Sequence, residues 1–317
     1  MLKFKLTIWF LLCLFTAFPV TAQNSSDQPN IVLVMADDLA WMDLACQGNP
    51  LVETPFLDRF ADQGIRFTNA YAAAPVCSPT RAALITGLSP ARLRITNHIP
   101  DRAQFTPPKA SHTGADMFNY LAPSYTTIAE RLKKAGYKTG FFGKWHIAGT
   151  SVGPQGAGDT KYYPENQGFD LNIGGCIYGG PPTFFDPYRI HNLKNRHQGE
   201  YLPNRLADEV CKFISTAGNT PFFTCLWNYS VHWPMEAPPD LLAKYESRKG
   251  PGLNDTRYGA MIEALDTSFG KIMQYLENEG LSKNTLVIFT SDNGCLLYTS
   301  DAADEGLGVD LGGRRII

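Results

Sequence analysis

Runs of apolar residues alternate with amphipathic stretches along this chain. Continuous apolar runs predict buried strands at residues 30–36, 138–143, 222–228 and 285–290, and a further strand is predicted at 66–72. Helical signals predict helices at residues 56–64, 127–136 and 205–215, and a helical apolar stripe formed by Met261, Leu265, Phe269, Ile272 and Leu276. The alternation predicts an α/β protein with a mostly parallel central sheet and helices on both faces.

Residues 151–204 interrupt this alternation. They are rich in Gly, Pro, Asn and Tyr, which predicts long loops around a cleft and not a separate domain. Aromatic side chains in this segment could stack on sugar rings or could pack on one another, and the sequence leaves both open: Tyr162, Tyr163, Tyr178, Phe184, Phe185 and Tyr188.

The first residues have the pattern of a secretory signal. Lys3 and Lys5 precede an apolar stretch at 8–18, and small residues follow at Val20-Thr21-Ala22. We therefore predict a signal peptide at 1–22 and an exported protein, periplasmic or extracellular, or lysosomal or secreted in a eukaryote. An uncleaved anchor is the alternative, but the apolar stretch is short for a stable membrane span.

Charge and cysteine usage exclude several classes of protein. The 317 residues include 28 basic and 30 acidic ones, so the chain has no basic surface of the kind that nucleic acid binding needs. An anionic substrate must therefore be met by a local pocket. The cysteines form no CxxC pair, which excludes a zinc knuckle or a dithiol redox motif.

Two predicted strands end in oxygen-bearing side chains. Asp37-Asp38 follows the first strand and Asp292-Asn293 follows the last one. Ligands of open α/β sheets bind beyond the carboxyl ends of strands, and carboxylate and amide oxygens suit calcium or magnesium. The alternative is that each pair caps the following turn.

Three further groups are candidates for chemistry. Cys77 and Arg81 lie one turn apart at the start of a predicted helical turn, so Cys77 is either a nucleophile of low pKa or a structural cysteine in an inert turn. Lys144 and His146 would leave the same face and clamp an anion if the strand continues, or they are an ordinary basic residue and a buried histidine. His232 also follows a strand, but alone it is a loop histidine.

Taken together, these motifs resemble those of the type I sulfatases, the arylsulfatase-like enzymes of the alkaline phosphatase superfamily. Cys77-Ser-Pro-Thr-Arg81, with Thr86-Gly87 after it, matches the signature C-x-P-x-R followed by Leu-x-Thr-Gly. Asn30 to Asp38, Gly143-Lys-Trp-His146 and Ser291-Asp-Asn-Gly294 resemble three further family elements in the same order.

The resemblance implies a role for each residue. The ligands of a Ca2+ ion, or of Mg2+, are Asp37, Asp38, Cys77, Asp292 and Asn293. A maturation enzyme oxidises Cys77 to formylglycine, whose hydrate attacks sulfur with one hydroxyl and later expels sulfate with the other. Arg81 holds this group, Lys144 binds the sulfate, His146 is hydrogen-bond partner and base for the hydroxyls, and His232 protonates or binds near the leaving oxygen. The implied substrate is a sulfated small molecule or polysaccharide.

The chain departs from the family at its end. The second active-site lysine expected after the Asp-Asn pair is absent, since no lysine follows Lys283, and the small carboxy-terminal subdomain is missing. Residues 295–317 resemble a translated sequencing-library adapter. We therefore expect a catalytic domain at 23–294 that is incomplete at its end, a foreign tail at 295–317, and an inactive fragment.

Two other functions stay open. A phosphomonoester or phosphonate hydrolase of the same superfamily would use a similar site, although the oxygen-only ligands argue against a zinc phosphatase. A pseudosulfatase that only binds glycans is the second alternative. The presence of Cys77, Arg81, Lys144 and His146 together argues against the loss of catalysis.

Overall fold

The structure is a computed structural model that describes residues 28–100, 111–112, 114–150 and 156–295. The predicted signal peptide at 1–22 and all of the predicted tail after Cys295 lie outside the described residues. No helix among the described residues is long and apolar enough to cross a membrane.

Five parallel strands form one sheet in the described part of the chain. Their order across the sheet is β3-β2-β4-β1-β5, and every pairing is parallel. All five carboxyl ends therefore lie at the same edge of the sheet. The strands are β1 (Asn30–Ala36), β2 (Lys138–Gly143), β3 (Leu171–Ile173), β4 (Phe222–Trp227) and β5 (Thr285–Ser291).

Helices connect and cover these strands. A capping box at Thr127 and Glu130 begins α4, as predicted. The five residues of the predicted apolar stripe in α7 are all buried. The helices are α1 (Pro55–Gln63), α2 (Cys77–Thr86), α3 (Pro90–Leu93), α4 (Ile128–Lys134), α5 (Leu202–Ala217), α6 (Pro239–Tyr245) and α7 (Thr256–Asn278).

The centre of the sheet is covered on both faces. Every residue of β4 is buried, and so are all residues of β1 except Ile31. Because successive side chains of a strand point to opposite faces, complete burial requires packing on each side. The predicted α/β architecture with a parallel central sheet is confirmed.

Two strand predictions are wrong. Residues 66–72 form no strand, and Phe67 and Tyr71 are more than 70% exposed. In the described part of the chain, residues 66–72 pair with no strand of the sheet. β5 exists, but it is not a buried strand, since Leu286 and Ile288 are 50% and 40% exposed. It lies at the edge of the sheet, where one face is left uncovered.

The segment at 151–204 contributes to the sheet as well as to loops. It supplies β3, a three-residue strand that the glycine-rich pattern did not reveal. Three of its aromatic side chains, Tyr163, Phe184 and Tyr188, are buried in the core, so they pack on the protein itself. The other three, Tyr162, Tyr178 and Phe185, are only partly buried.

A buried carboxylate joins α7 to the start of α1. Asp266 accepts hydrogen bonds from the backbone N–H groups of Phe56 (3.2 Å) and Leu57 (2.7 Å). These are donors of the first helical turn, which the side chain of the N-cap residue Thr54 does not cap. Burial raises the pKa of Asp266 to about 6, and the two hydrogen bonds only partly offset that effect.

This carboxylate makes folding stability depend on pH. An acid whose pKa is raised on folding stabilises the fold fully below its unfolded pKa and loses that contribution as the pH rises through the folded value. We expect the free energy of unfolding to fall between pH 4 and about 6 through Asp266. Denaturant unfolding of Asp266→Asn should lack this component, and an identical pH profile in the variant would contradict the assignment.

Candidate active site

The two acidic strand ends meet at one edge of the sheet. Ala36 of β1 pairs with Ser291 of β5, which places the following residues side by side. The backbone N–H of Asp38 donates to Asp292 Oδ1 (3.1 Å), and Asn293 Nδ2 donates to Asp38 Oδ1 (2.6 Å). Both residue pairs therefore belong to one site, as the strand-end argument predicts.

Helix α2 delivers a cysteine to this site. Cys77 is the first residue of the helix and is buried, with its Sγ 3.2 Å from Lys144 Nζ and 3.6 Å from Asp37 Oδ1. Burial raises the pKa of the Cys77 thiol well above its usual range, and the positive charge of Lys144 offsets only part of this. This direction does not favour a low-pKa thiolate, and the role of Cys77 as a nucleophile stays a prediction.

Two buried cations face the carboxylates. Arg81 donates to Asp292 Oδ2 through Nε (3.1 Å) and Nη2 (2.7 Å), and its Nη2 also lies 3.2 Å from Asp37 Oδ1. Lys144 Nζ lies 2.8 and 2.7 Å from the two oxygens of Asp37. Both side chains are fully buried, so water screens these interactions very little.

The donor set fits a hard divalent cation. The carboxylates of Asp37, Asp38 and Asp292 carry one more charge than the two cations neutralise. Ligand atoms of Asp37, Cys77 and Asp292 lie within 4.8 Å of one another. Asn293 Oδ1 is buried with no hydrogen-bond partner among the described residues, so it is available as a further ligand. Burial and the charge of Asp37 raise the pKa of Asp292 to about 6, as expected for crowded carboxylates.

The clamp of Lys144 and His146 does not form in the predicted way. β2 ends at Gly143, which has a φ of 100°, and a Cβ atom there would lie 2.0 Å from the carbonyl oxygen of Trp227. The chain leaves the extended conformation at this glycine, so β2 ends there and the two side chains separate. Lys144 reaches Asp37, while His146 Nε2 lies 2.6 Å from the carbonyl oxygen of Ile99.

The contacts of His146 define its protonation state. A carbonyl oxygen only accepts, so Nε2 carries the hydrogen and donates it to Ile99. Burial, and then the charge of Lys144, lower the pKa of His146 well below its usual value, which keeps the ring neutral. Nδ1 therefore carries the lone pair, and it is buried with no protein partner among the described residues. The ring presents an unused acceptor.

His232 lies at the same edge of the sheet. Its Nε2 is 3.7 Å from Asp38 Oδ2, and its Nδ1 donates to the carbonyl oxygen of Trp233 at 2.9 Å. The side chain is 19% exposed, which makes it more accessible than the cysteine and the two cations. Its position after a strand assigns no function to this histidine, but the family resemblance implies a role at the leaving oxygen, and the structure places it next to the candidate metal ligands.

Sequence reasoning missed one contact that shapes the site. The hydroxyl of Tyr258 on α7 lies 2.9 Å from the carbonyl oxygen of Asp38 and 2.5 Å from Asp43 Oδ2. It holds the main chain of Asp38, whose φ of 62° is unusual for a residue other than glycine. No local pattern distinguishes this tyrosine from the other buried residues of the helix.

Comparison with known proteins identifies the family of the chain. The profile of the Sulfatase family matches residues 29–311. The chain belongs to the sulfatase family. The match runs beyond Gly294 into the segment that the sequence analysis assigns to a foreign tail, so the boundary at 294 stays a prediction.

Individual sulfatases show the same relationship. The chain is 35% identical to the N-acetylgalactosamine-6-sulfatase of Mus musculus over 93% of its own length and 56% of that protein. It is 30% identical to the N-acetylgalactosamine-6-O-sulfatase of Bacteroides thetaiotaomicron over 86% of its length and 60% of that protein. The crystal structure of Ps i-CgsB in complex with k-i-k-neocarrahexaose is similar with a TM-score of 0.70 and 28% identity, covering 85% of this chain and 59% of that one. The sulfatase chain thus spans less than two thirds of each.

Proposed function

We propose that this chain belongs to an enzyme that hydrolyses sulfate esters, with a sulfated saccharide as substrate. The observation that supports this most is the buried cluster of Cys77, Arg81 and Lys144 beside Asp37 and Asp292. Positive groups and a cation fixed in a dry site stabilise charge that develops on sulfate oxygens in the transition state. Membership of the sulfatase family supports the same reaction.

Cys77 is the proposed site of formylglycine. The motif from Cys77 to Arg81 supports this, and so does the raised thiol pKa, which leaves the unmodified side chain a weak nucleophile. Formylglycine would supply a hydrated aldehyde whose hydroxyl is the nucleophile. A separate maturation enzyme would be the partner that oxidises the thiol. Mass spectrometry of the tryptic peptide that ends at Arg81 tests this, and unmodified cysteine in an active preparation would overturn it.

The proposed cation is Ca2+, with Mg2+ as the alternative. Asp37, Asp38, Asp292 and Asn293 would hold it, and residue 77 would complete its ligands. The cation would supply electrophilic stabilisation of the sulfate oxygens. Arg81 and Lys144 have different proposed roles. Arg81, on α2, holds the carboxylates in place, and Lys144 is the cation next to the side chain of residue 77.

The two histidines have complementary proposed roles. Neutral His146, with its unused Nδ1 acceptor, is suited to take a proton from a hydroxyl at residue 77. His232 is more accessible and lies beside Asp38, which suits protonation or binding of the leaving oxygen.

Sulfate release from a panel of sulfated polysaccharides by a full-length protein tests the function. Paired aryl sulfate and aryl phosphate substrates decide between a sulfatase and a phosphomonoester or phosphonate hydrolase. Glycan binding without any sulfate release would favour the pseudosulfatase. The relatives that act on N-acetylgalactosamine sulfate make galactosamine-containing glycans the first substrates to try. Export to the periplasm, the cell exterior or the lysosome stays a proposal from residues 1–22.

Removal of the cation should destabilise the protein. Without it, the carboxylates of Asp37, Asp38 and Asp292 stay buried together with one uncompensated negative charge. We expect a chelator to lower the melting temperature of the full-length protein by several degrees, because a ligand that binds only the folded state stabilises it. Asp38→Asn should remove most of this sensitivity. The same melting curve with and without chelator would exclude the cation site.

A further inference from the structure

The hydroxyl of Ser78 closes a ring of hydrogen bonds around His146. Ser78 Oγ accepts from the backbone N–H of Ile99 (3.1 Å) and donates to the backbone carbonyl of His146 (3.1 Å). The carbonyl oxygen of Ile99 in turn accepts from His146 Nε2 at 2.6 Å. Ser78 is fully buried, so no water competes for these contacts. One hydroxyl thus holds both the main chain of the histidine and the residue that binds its ring.

Two neighbours limit rotation of the same ring. The ring of His98 packs edge to face on His146 with a centroid distance of 4.5 Å. On Gly179, a Cβ atom would lie 3.0 Å from His146 Nε2 and 3.1 Å from Cε1, which is closer than side chains normally pack. The φ of Gly179 is not in the left-handed region, so the backbone does not require glycine here. Glycine fits this position because any side chain would press on the ring of His146.

We propose that Ser78 is a positioning residue that fixes the tautomer and orientation of His146. By holding the Ile99 carbonyl against Nε2–H, it leaves the Nδ1 lone pair as the one acceptor that the ring presents. Ser78 also follows Cys77 directly, so the helix that carries the proposed nucleophile fixes the histidine that serves it. This inference rests on the proposed function only for the step in which His146 takes a proton.

The tautomer is measurable without any turnover. The chain contains six histidines, so the ring nitrogens of His146 can be assigned in 15N-histidine NMR spectra by comparison with His146→Gln. In the wild type we expect a neutral ring with its hydrogen on Nε2. In Ser78→Ala we expect a mixture of tautomers. The backbone N–H of Ile99 loses its hydrogen bond to Ser78 Oγ, so the carbonyl oxygen of Ile99 is no longer held against His146 Nε2. Ser268→Ala is the matched control, since Ser268 is also fully buried but bonds only Leu265 of its own helix.

Kinetics of the full-length protein provide the second measurement. We expect Ser78→Ala to lower kcat about 10- to 100-fold, part of what a positioned general base contributes, with little change in KM. Formylglycine content, measured by mass spectrometry, should match that of the wild type, which separates positioning from maturation. Ser78→Thr keeps the hydroxyl and should restore most of kcat and the single tautomer.

The outcomes separate the two proposals. An unchanged His146 spectrum in Ser78→Ala would overturn the positioning role, and so would a kcat loss explained entirely by missing formylglycine. A wild-type protein that shows the Nε2–H tautomer but releases no sulfate would contradict the proposed function alone. If Ser78→Ala does not fold, Ser78→Cys keeps a side chain of similar shape with a weaker hydrogen-bonding group and should still produce a mixture of tautomers. A single Nε2–H tautomer in Ser78→Cys would then overturn the proposal.

Discussion

Cys77→Ala in the full-length protein is expected to lower kcat for sulfate release at least about 1,000-fold relative to the wild type that contains formylglycine. Alanine provides no atom that can be converted into the hydrated aldehyde. Cys77 Sγ contacts both Lys144 Nζ and Asp37 Oδ1, and no other described side chain at this point in the site can replace the nucleophile. The fold should tolerate the change, because the thiol is small and alanine leaves little empty volume. The measurement is single-substrate kinetics together with a thermal melt.

Cys225→Ala is the matched control for this variant. Cys225 is also a fully buried free thiol, but it lies within β4 and contacts none of the candidate ligands through a hydrogen bond. It should lose some stability and keep its activity. Residual activity of Cys77→Ala close to that of this control would mean that residue 77 is not the nucleophile.

Arg81→Met is expected to cause the largest loss of stability, about 3–5 kcal/mol in the free energy of unfolding. The guanidinium is fully buried, bridges Asp37 and Asp292, and also donates to the carbonyl oxygen of Lys144 at 2.7 Å. Methionine fills a similar volume but leaves Asp292 in a dry site without its cation and leaves Asp37 with Lys144 alone. Denaturant unfolding measures this loss, and sulfate release should fall as well.

Arg196→Met shows what an accessible ion pair contributes. Arg196 also contacts two carboxylates, those of Glu200 and Asp208, but its side chain is 36% exposed. Ion pairs of this type contribute about 1 kcal/mol or less. Equal effects of the two substitutions would show that burial does not strengthen the Arg81 contacts.

The architecture and the ligand pairs could be predicted because they depend on local pattern. A short apolar run predicts a covered strand, and parallel strands end at a common edge, so both Asp37-Asp38 and Asp292-Asn293 are expected at that edge. The signature around Cys77 is equally local. These are properties that neighbouring residues determine. That the two pairs lie side by side follows from the pairing of β1 with β5, which local pattern does not determine.

Other parts of the site depend on contacts between distant segments. β2 ends at Gly143, where the φ is 100° and where a side chain would collide with the carbonyl oxygen of Trp227, a residue of another strand. The pKa of Cys77 depends on burial, and burial follows from the packing of the whole domain. Tyr258 reaches Asp38 from a helix 220 positions away. Nothing in the sequence around any of these residues contains that information.

The pairing of β1 with β5 also has a consequence for the folding kinetics. Asp38 and Asp292 are 254 positions apart, so their contact closes a loop that includes most of the domain. Contacts of such long sequence separation are entropically costly to form early, and proteins rich in them fold slowly. The cation pocket would therefore assemble after the folding transition state. A bound ion would then slow unfolding and leave the folding rate almost unchanged, because its contacts would form after the transition state in folding and break before it in unfolding.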